Sequence, residues 1–293
     1  MQSQNPDNGR IVRANGVDLC AEVLGDPGDP AILLIHGATG SMLAWDDEFF
    51  QQLAAGPRYV VRYDHRDTGR SVSYPPGAPG YGFDDLVADA LGLIDAFGLE
   101  RAHLVGTSMG GGIAMSLALD HPERVASLTL IASSPGGQDL PSVSAEFLDM
   151  ITRPEQPDWS NREAMIDYSI EFLRICTGSS EQLDEVAVRA NLGRDYDRTT
   201  NIASSQINHF ALEMEEPLRN RLGEMRVPTL VIHGAEDPVF PLGHGEALAS
   251  EIPVARLIIL DNAGHVMTRG FWERALPPIL DHTARNRAAA ARG

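Results

Sequence analysis

The chain has 293 residues, of which 43% are hydrophobic, and its formal net charge is −18, with all 23 positive charges on arginine. This length and apolar content predict one large buried core, with room for an inserted subdomain, and argue against a disordered chain. The acidic surface would repel the phosphates of nucleic acids and anionic lipids, so we expect no nucleic-acid partner and no membrane partner.

Two further features bear on the compartment. The first ten residues are polar, and no segment approaches the roughly 18 uncharged apolar residues of a membrane span. Cys20 and Cys176 have no motif spacing, so we expect two free thiols in a reducing compartment. These features predict a cytoplasmic protein.

Apolar segments of strand length alternate with amphipathic helical segments through the first half of the chain. The predicted strands are residues 17–23, 31–35, 59–63, 102–105 and 126–131. The predicted helices are residues 42–55, 83–97 and the segment that follows Gly110. This alternation is typical of βαβ units and of a mostly parallel sheet.

The pattern changes from about residue 138 to residue 222, where no clear strand is evident. Helical windows there are residues 145–152, 163–175, 182–190 and 202–214. Strands at 228–233 and 255–260 and a closing helix at 271–283 follow. We therefore predict a sheet domain in two parts, residues 1–137 and 223–293, with a helical cap inserted at 138–222.

The most informative stretch is Gly106-Thr107-Ser108-Met109-Gly110, which joins the strand at 102–105 to a helix-like segment. A serine on a sharp strand-to-helix turn needs small neighbours, because the strained backbone brings the flanking Cα atoms together and exposes Oγ. The pattern G-x-S-x-G alone is weak evidence for a nucleophile, because it arises easily by chance in a chain with 28 glycines. Its strand and helix context carries the prediction that Ser108 is a nucleophile.

A serine nucleophile needs a base from another element of the fold. Among nine histidines, His265 is best placed, because Asn262-Ala263-Gly264-His265 directly follows the last predicted strand. His36 and His233 end strands and are interpreted as loop or supporting groups. His103 and His282 lie inside predicted elements and are interpreted as structural.

A third group must orient the base and stabilise its charged form. Asp237 fits this role, because it follows the strand that ends at His233 and precedes His265 in the chain. The acid can also follow the preceding strand in such sheets, but the first carboxylate after that strand is Asp139. Glu236 and Asp261 stay open as alternatives.

The oxyanion formed during acyl transfer needs two aligned donors. One is expected from the residue after the nucleophile, Met109, and the other from Ala38, in the loop His36-Gly37-Ala38-Thr39-Gly40. The glycines of this loop allow its N–H groups to turn toward the cleft.

Four motifs in this order resemble the α/β-hydrolase superfamily over about residues 16–283. The motifs are His36-Gly37, Gly106-x-Ser108-x-Gly110, Gly234-x-x-Asp237 and Gly264-His265. The resemblance implies an eight-stranded, mostly parallel sheet flanked by helices, an inserted helical cap, a Ser108-His265-Asp237 triad and no required cofactor. Serine at position 108 distinguishes the chain from haloalkane dehalogenases and epoxide hydrolases, which share the fold but use aspartate.

A narrower resemblance rests on the stretch from Tyr63 to Ser71, YDHRDTGRS, which is similar to the corresponding loop of aclacinomycin methylesterase-like esterases. We expect its charged groups to pair within the loop and brace the catalytic end of the sheet. The resemblance favours methyl esters.

The sequence therefore predicts a serine hydrolase that cleaves carboxylic esters of small or medium apolar molecules. Lactone hydrolysis and hydrolytic C–C cleavage could use the same triad, and a ligand receptor with negligible turnover is the alternative from another class. No metal-ligand spacing or phosphate-binding motif is present, so no metal or cofactor is expected. Seven apolar residues of the predicted cap are expected either to pack in its core or to line an acyl pocket. They are Met150, Trp159, Met165, Tyr168, Phe172, Phe210 and Met214.

Overall fold

The computed structural model describes residues 9–179, 181, 183–212 and 218–290. Eight strands in these residues form one sheet in the order β1-β2-β4-β3-β5-β6-β7-β8. The strands are β1 (Arg10–Ala14), β2 (Val17–Leu24), β3 (Ala31–Ile35), β4 (Tyr59–Tyr63), β5 (Ala102–Thr107), β6 (Val125–Ile131), β7 (Thr229–Gly234) and β8 (Ala255–Leu260). Only the pairs β1–β2 and β2–β4 are antiparallel, which confirms the predicted mostly parallel sheet.

All the predicted strands are present to within two residues at either end, but the sequence did not predict β1. This strand lies at the edge of the sheet, and only Ala14 of its five residues is buried. Its sequence, Arg10-Ile11-Val12-Arg13-Ala14, has no continuous apolar run, which is why the pattern of apolar residues missed it.

Helices cover both faces of the sheet, as predicted. Their bounds are α1 (Asp47–Leu53), α2 (Phe83–Ala96), α3 (Met109–Asp120), α4 (Ala145–Thr152), α5 (Arg162–Cys176), α6 (Glu185–Arg198), α7 (Ile202–Ile207), α8 (Gly243–Glu251) and α9 (Arg269–Ala290). One apolar cluster packs α2, α3 and α8 on one face of the sheet, and a second packs α1 and α9 on the other. The buried strands thus form the middle of three layers.

The helix predicted near 42–55 is wrong in its extent. A short 3₁₀ turn, Met42–Ala44, is followed by the separate helix α1. Asp46 has non-helical backbone geometry, and its carboxylate accepts the N–H groups of Glu48 and Phe49 at 2.8 and 3.2 Å. A new helix therefore begins after this cap.

The segment between β6 and β7, called the β6–β7 segment below, contains α4 to α7 and no strand among its described residues. Its helix α6 begins and ends later than the predicted 182–190. The first turn is capped by Asp184, and the last residue of the helix, Arg198, forms a buried ion pair with the sheet domain. Gln182, where that predicted helix began, lies outside the described residues. The cap limits at 138 and 222 stay a prediction.

None of the helices in the described part of the chain combines the length and apolar character needed to cross a membrane.

Candidate active site

Ser108 stands at the turn between β5 and α3, in a conformation that few residues with a side chain adopt. Its φ is 52° and its ψ is −121°, and its N–H donates to the Ile131 carbonyl at 3.0 Å. Such strained backbone persists only where the surrounding structure holds it, and it is common at functional sites. The serine remains partly exposed at the carboxyl end of the sheet.

The glycines on either side are required by close backbone contacts. A Cβ on Gly106 would lie 2.3 Å from the Gly110 carbonyl oxygen, and one on Gly110 would lie 2.1 Å from the Ile35 carbonyl oxygen. No side chain fits at these distances. The turn therefore packs directly on β3, as the predicted serine turn requires.

His265 and Asp237 meet beyond the carboxyl ends of β8 and β7. The His265 Nδ1–H donates to Asp237 Oδ2 at 2.8 Å, and the Asp237 side chain is fully buried. Its Oδ1 accepts the N–H groups of Val239 and Phe240, both at 2.8 Å. Burial raises the pKa of Asp237, but the charge and hydrogen bond of His265, with His233 and the Phe240 N–H, more than offset it and leave this pKa below its usual value. The carboxylate is therefore ionised and keeps the proton of His265 on Nδ1, which leaves Nε2 as a base.

The other candidate acids lie elsewhere. Asp139 forms an exposed ion pair with Arg219, and Glu236 accepts the backbone N–H of Ser179 at 2.5 Å. Asp261 is exposed. Of the four carboxylates considered from the sequence, Asp237 is the one in contact with His265.

The loop after β3, residues 36–40, connects Ser108 with the His265 region and is called the β3 loop below. A Cβ on Gly37 would lie 3.1 Å from Ser108 Cβ and 3.7 Å from its Oγ. Burial, together with His65 and His265, lowers the pKa of the neighbouring His36 to about 3. The loop therefore lies against Ser108 on one side and within electrostatic reach of His265 on the other.

Ala38 and Met109, the expected oxyanion donors, lie in the β3 loop and at the first position of α3. Across the described residues, neither of their N–H groups donates to a protein acceptor. An N–H at the first turn of a helix has no partner within the helix. Both groups are thus available to an anion.

The remaining histidines named from the sequence occupy the expected kinds of environment. His233 donates through Nε2 to the Phe240 carbonyl at 2.7 Å, and the Phe240 ring lies 5.5 Å from the His265 ring. His103 bonds the Ser127 hydroxyl and His282 the Leu128 carbonyl, both in the sheet domain. His233 supports the site, whereas the latter two are structural.

The loop from Tyr63 to Ser71 departs from the expectation that its charges pair internally. Asp64 pairs with Arg198 of α6 at 2.8 Å, and Arg66 pairs with Asp89 of α2 at 2.7 Å. Both pairs join the loop to packed helices, and each buried charge thereby gains the partner that offsets its desolvation. The loop joins α2 and the β6–β7 segment to the carboxyl end of the sheet.

The apolar residues proposed for a pocket fall into different environments. Met150 and Met165 are buried, and Met165 packs with Ile166 and Ile170 inside the β6–β7 segment. Trp159 stacks edge-on with Tyr168, and Phe172 lies against Phe147. Phe210 is 67% exposed. Met214 lies outside the described residues.

Sequence reasoning missed Ser205 and His209, two buried residues of the β6–β7 segment that bond the β3 loop. Their one sequence signal is a spacing of one helical turn, which is too common to select them. As for metals, the described residues bring no three His, Cys, Asp or Glu side chains together as a metal site would require.

Comparison with known proteins agrees with this fold. Residues 30–268 match the family model of the alpha/beta hydrolase fold. The chain belongs to the α/β-hydrolase fold family. Two relatives of this α/β-hydrolase are the rhodomycin D methylesterases DauP of Streptomyces sp. (strain C5) and DnrP of Streptomyces peucetius, 33% and 34% identical over 94% of this chain and 97% of theirs.

Other α/β-hydrolases are similar at greater distance. A 2-hydroxy-6-oxononadienedioate/2-hydroxy-6-oxononatrienedioate hydrolase of Burkholderia vietnamiensis (strain G4 / LMG 22486) is 31% identical over 85% of this chain and 84% of its own. The solved enol-lactonase from Burkholderia xenovorans LB400 superposes with a TM-score of 0.74 at 23% identity, covering 94% of this chain and all of its own. The latter likeness shows the shared fold.

Proposed function

We propose that this α/β-hydrolase is a serine esterase that cleaves carboxylic esters of small or medium apolar molecules, methyl esters among them, through an acyl-enzyme. The observations that carry the proposal are the 2.8 Å hydrogen bond between His265 and the buried Asp237 and the strained turn that presents Ser108 at the carboxyl end of the sheet. The two rhodomycin D methylesterases, similar over 94% of the chain, support ester chemistry.

The proposed roles follow from the atoms available. Ser108 Oγ attacks the ester carbonyl while its proton moves to His265 Nε2, and Asp237 stabilises the resulting imidazolium. The carbonyl oxygen becomes an oxyanion that accepts the N–H groups of Ala38 and Met109. The tetrahedral intermediate then expels the alkoxide, which takes the proton from His265 and leaves as the alcohol.

Deacylation repeats the sequence with water as nucleophile. His265 removes a proton from the water as it attacks the acyl carbon, and the same two N–H groups hold the second oxyanion. Collapse of that intermediate returns the proton to Ser108 Oγ and releases the carboxylic acid. No step requires a metal or an organic cofactor.

Lactone hydrolysis and C–C hydrolysis are the nearest alternatives. The same nucleophile and base would serve them, and a C–C hydrolase and an enol-lactonase occur among the similar proteins. Ester hydrolysis is favoured because the methylesterases match more of the chain at higher identity. The two cysteines are free and buried, which supports action in a reducing, cytoplasmic setting.

A substrate panel on one purified sample tests the function. It compares methyl esters of aromatic acids, nitrophenyl esters of increasing acyl length, lactones and a vinylogous 1,5-diketone, each with wild type and with Ser108→Ala. We expect turnover of methyl and nitrophenyl esters that Ser108→Ala loses, and covalent labelling of Ser108 by a fluorophosphonate. Turnover of the diketone or lactones alone, the absence of any turnover, or ester turnover that survives Ser108→Ala would reject the proposal.

A further inference from the structure

Two side chains of the β6–β7 segment hold both peptide groups of Thr39, the residue after Ala38. The Thr39 N–H donates to His209 Nδ1 at 3.1 Å, and the Ser205 hydroxyl donates to the Thr39 carbonyl at 3.1 Å. His209 and Ser205 are 5% and 4% exposed. The β3 loop is thus bonded at one residue by two buried groups more than 160 positions away in sequence.

Thr39 needs such support because its backbone is strained. Its φ is 65°, in the left-handed region that a β-branched residue rarely enters. Without outside partners, the peptide would relax toward a common conformation and rotate the adjoining peptide groups. The adjoining residue is Ala38, whose N–H is a proposed oxyanion donor.

The protonation state of His209 suits it to accept a hydrogen bond at all working pH values. Its Nε2–H donates to the Arg66 carbonyl at 2.9 Å, which leaves the lone pair on Nδ1. Burial, together with the nearby His65, lowers the pKa of His209 to about 3. The ring is therefore neutral and cannot change the tautomer without losing one of its two bonds.

A second neutral imidazole holds the other end of the same loop. His65 donates through Nε2 to the His36 carbonyl at 2.9 Å, and the His65 and His209 rings meet edge to face at 5.8 Å. Burial lowers the pKa of His65 as well. The β3 loop is therefore held on both sides of Ala38, once from the sheet domain and once from the β6–β7 segment.

We propose that His209, assisted by Ser205, is a positioning residue for ester hydrolysis that fixes the Thr39 peptide and thereby aims the Ala38 N–H at the oxyanion. This inference rests on the proposed function, because it assigns the β3 loop a transition-state role. It also assigns to the β6–β7 segment a part in the chemistry of the reaction.

The expected signature is a loss in kcat that does not depend on the acyl group. An oxyanion donor acts in the transition state, so misaiming it lowers kcat while KM stays nearly constant. Removal of such a donor lowers kcat by about 10²-fold to 10³-fold, and we expect about 10-fold to 100-fold for loss of its positioning residue. Substitution of a residue that only lines the pocket would instead change the relative kcat/KM of esters with different acyl lengths.

The experiment compares variants at neighbouring positions. His209→Phe keeps the ring but removes the acceptor, and His209→Asn offers an Oδ1 acceptor near the position of Nδ1. The matched control is Asn208→Ala. Asn208 is also fully buried and also docks on the sheet domain, through Asp67 Oδ2 at 2.8 Å and the Gly77 N–H at 2.7 Å, but it does not bond the β3 loop.

Four quantities are measured for each variant: kcat and KM on nitrophenyl esters of several acyl lengths, the rate of Ser108 phosphonylation by a fluorophosphonate, and Tm. We expect His209→Phe to lose kcat and phosphonylation rate uniformly, His209→Asn to regain part of both, and Asn208→Ala to lower Tm while kcat stays within ~3-fold of wild type. Wild-type kcat in folded His209→Phe, or an equal loss in Asn208→Ala, would overturn the inference.

Two provisions keep the outcomes separate. If His209→Phe does not fold, Ser205→Ala decides, because it removes the hydroxyl that donates to the Thr39 carbonyl, and unchanged kcat in folded Ser205→Ala overturns the inference. Absence of labelling in wild type, or activity in Ser108→Ala, would reject the proposed function itself. Labelled wild type with an unaffected His209→Phe would reject this inference alone.

Discussion

Arg198 of α6 and Asp64 after β4 form a buried bidentate ion pair between the β6–β7 segment and the sheet domain. Nη1 donates to Oδ1 at 2.9 Å and Nη2 to Oδ2 at 2.8 Å, with the side chains 5% and 0% exposed. The same carboxylate accepts the N–H groups of Met42 and Arg70, both at 2.9 Å. One aspartate therefore joins α6 to the loops after β3 and β4.

Breaking this pair is expected to destabilise the protein substantially. Arg198→Met leaves Asp64 charged and buried, which costs about 3 to 5 kcal/mol when a buried partner is lost. The control is Arg162→Met, because the Arg162–Asp197 pair is exposed and such pairs contribute about 0 to 1 kcal/mol. Urea unfolding of both variants measures the difference, and equal effects would contradict the role of burial.

Asp195, at the same interface, is expected to make stability depend on pH. Burial, with the charge of Asp64, raises the pKa of Asp195 to about 6, although Ser41 and Arg198 oppose the shift. The folded state therefore retains a proton that the unfolded state loses near pH 4, so this contribution is present below pH ~4 and is lost as pH rises through about 6.

Asp195→Asn removes that titration. Relative to wild type, the free energy of unfolding of Asp195→Asn should increase, toward greater stability, by about 2 to 3 kcal/mol between pH 4 and pH 7, because the shift spans about two pKa units. Denaturant titrations of both proteins across this range test the expectation. A difference that stays constant with pH would show that Asp195 does not titrate in this window.

Asp237→Asn should keep the fold and lower kcat steeply, since an asparagine can favour the wrong tautomer of His265. The corresponding change in a serine protease costs about 10⁴-fold. Asp139→Asn, Glu236→Gln and Asp261→Asn should have far smaller effects, because their carboxylates lie away from His265. Kinetics are paired with a melting curve for each variant, and a crippled Asp261→Asn or Asp139→Asn with an active Asp237→Asn would reassign the acid.

Gly110→Ala should disrupt the serine turn, because its Cβ would lie 2.1 Å from the Ile35 carbonyl oxygen. Overpacking against rigid backbone costs about 1 to 3 kcal/mol or more, and displacement of the turn should abolish Ser108 labelling. Gly112→Ala is the control two positions away, where the nearest atom is Phe83 Cζ at 3.3 Å. The Gly112→Ala substitution should be nearly neutral, because the tight contact with Phe83 is offset by the helix propensity of alanine, which exceeds that of glycine by about 1 kcal/mol. Normal labelling of Gly110→Ala would refute the packing argument.

The sequence by itself determined the order of the elements, the parallel sheet and the narrow set of candidate residues. The buried strand β3 was predicted to the residue because a continuous apolar run marks a strand buried on both faces. The serine turn was predictable because its glycine requirement is local. His265 and Asp237 could be named because residues after parallel strands gather at one edge of the sheet.

Only the tertiary structure decided which distant polar groups meet. Asp64 and Arg198 are 134 positions apart, and Thr39 and His209 are 170 apart. Periodicity reports which face of an element is buried, but it carries no information on which buried donor faces which acceptor. That pairing depends on how α6 and α7 pack over the β3 loop, because each buried polar group must find its partner in the folded chain.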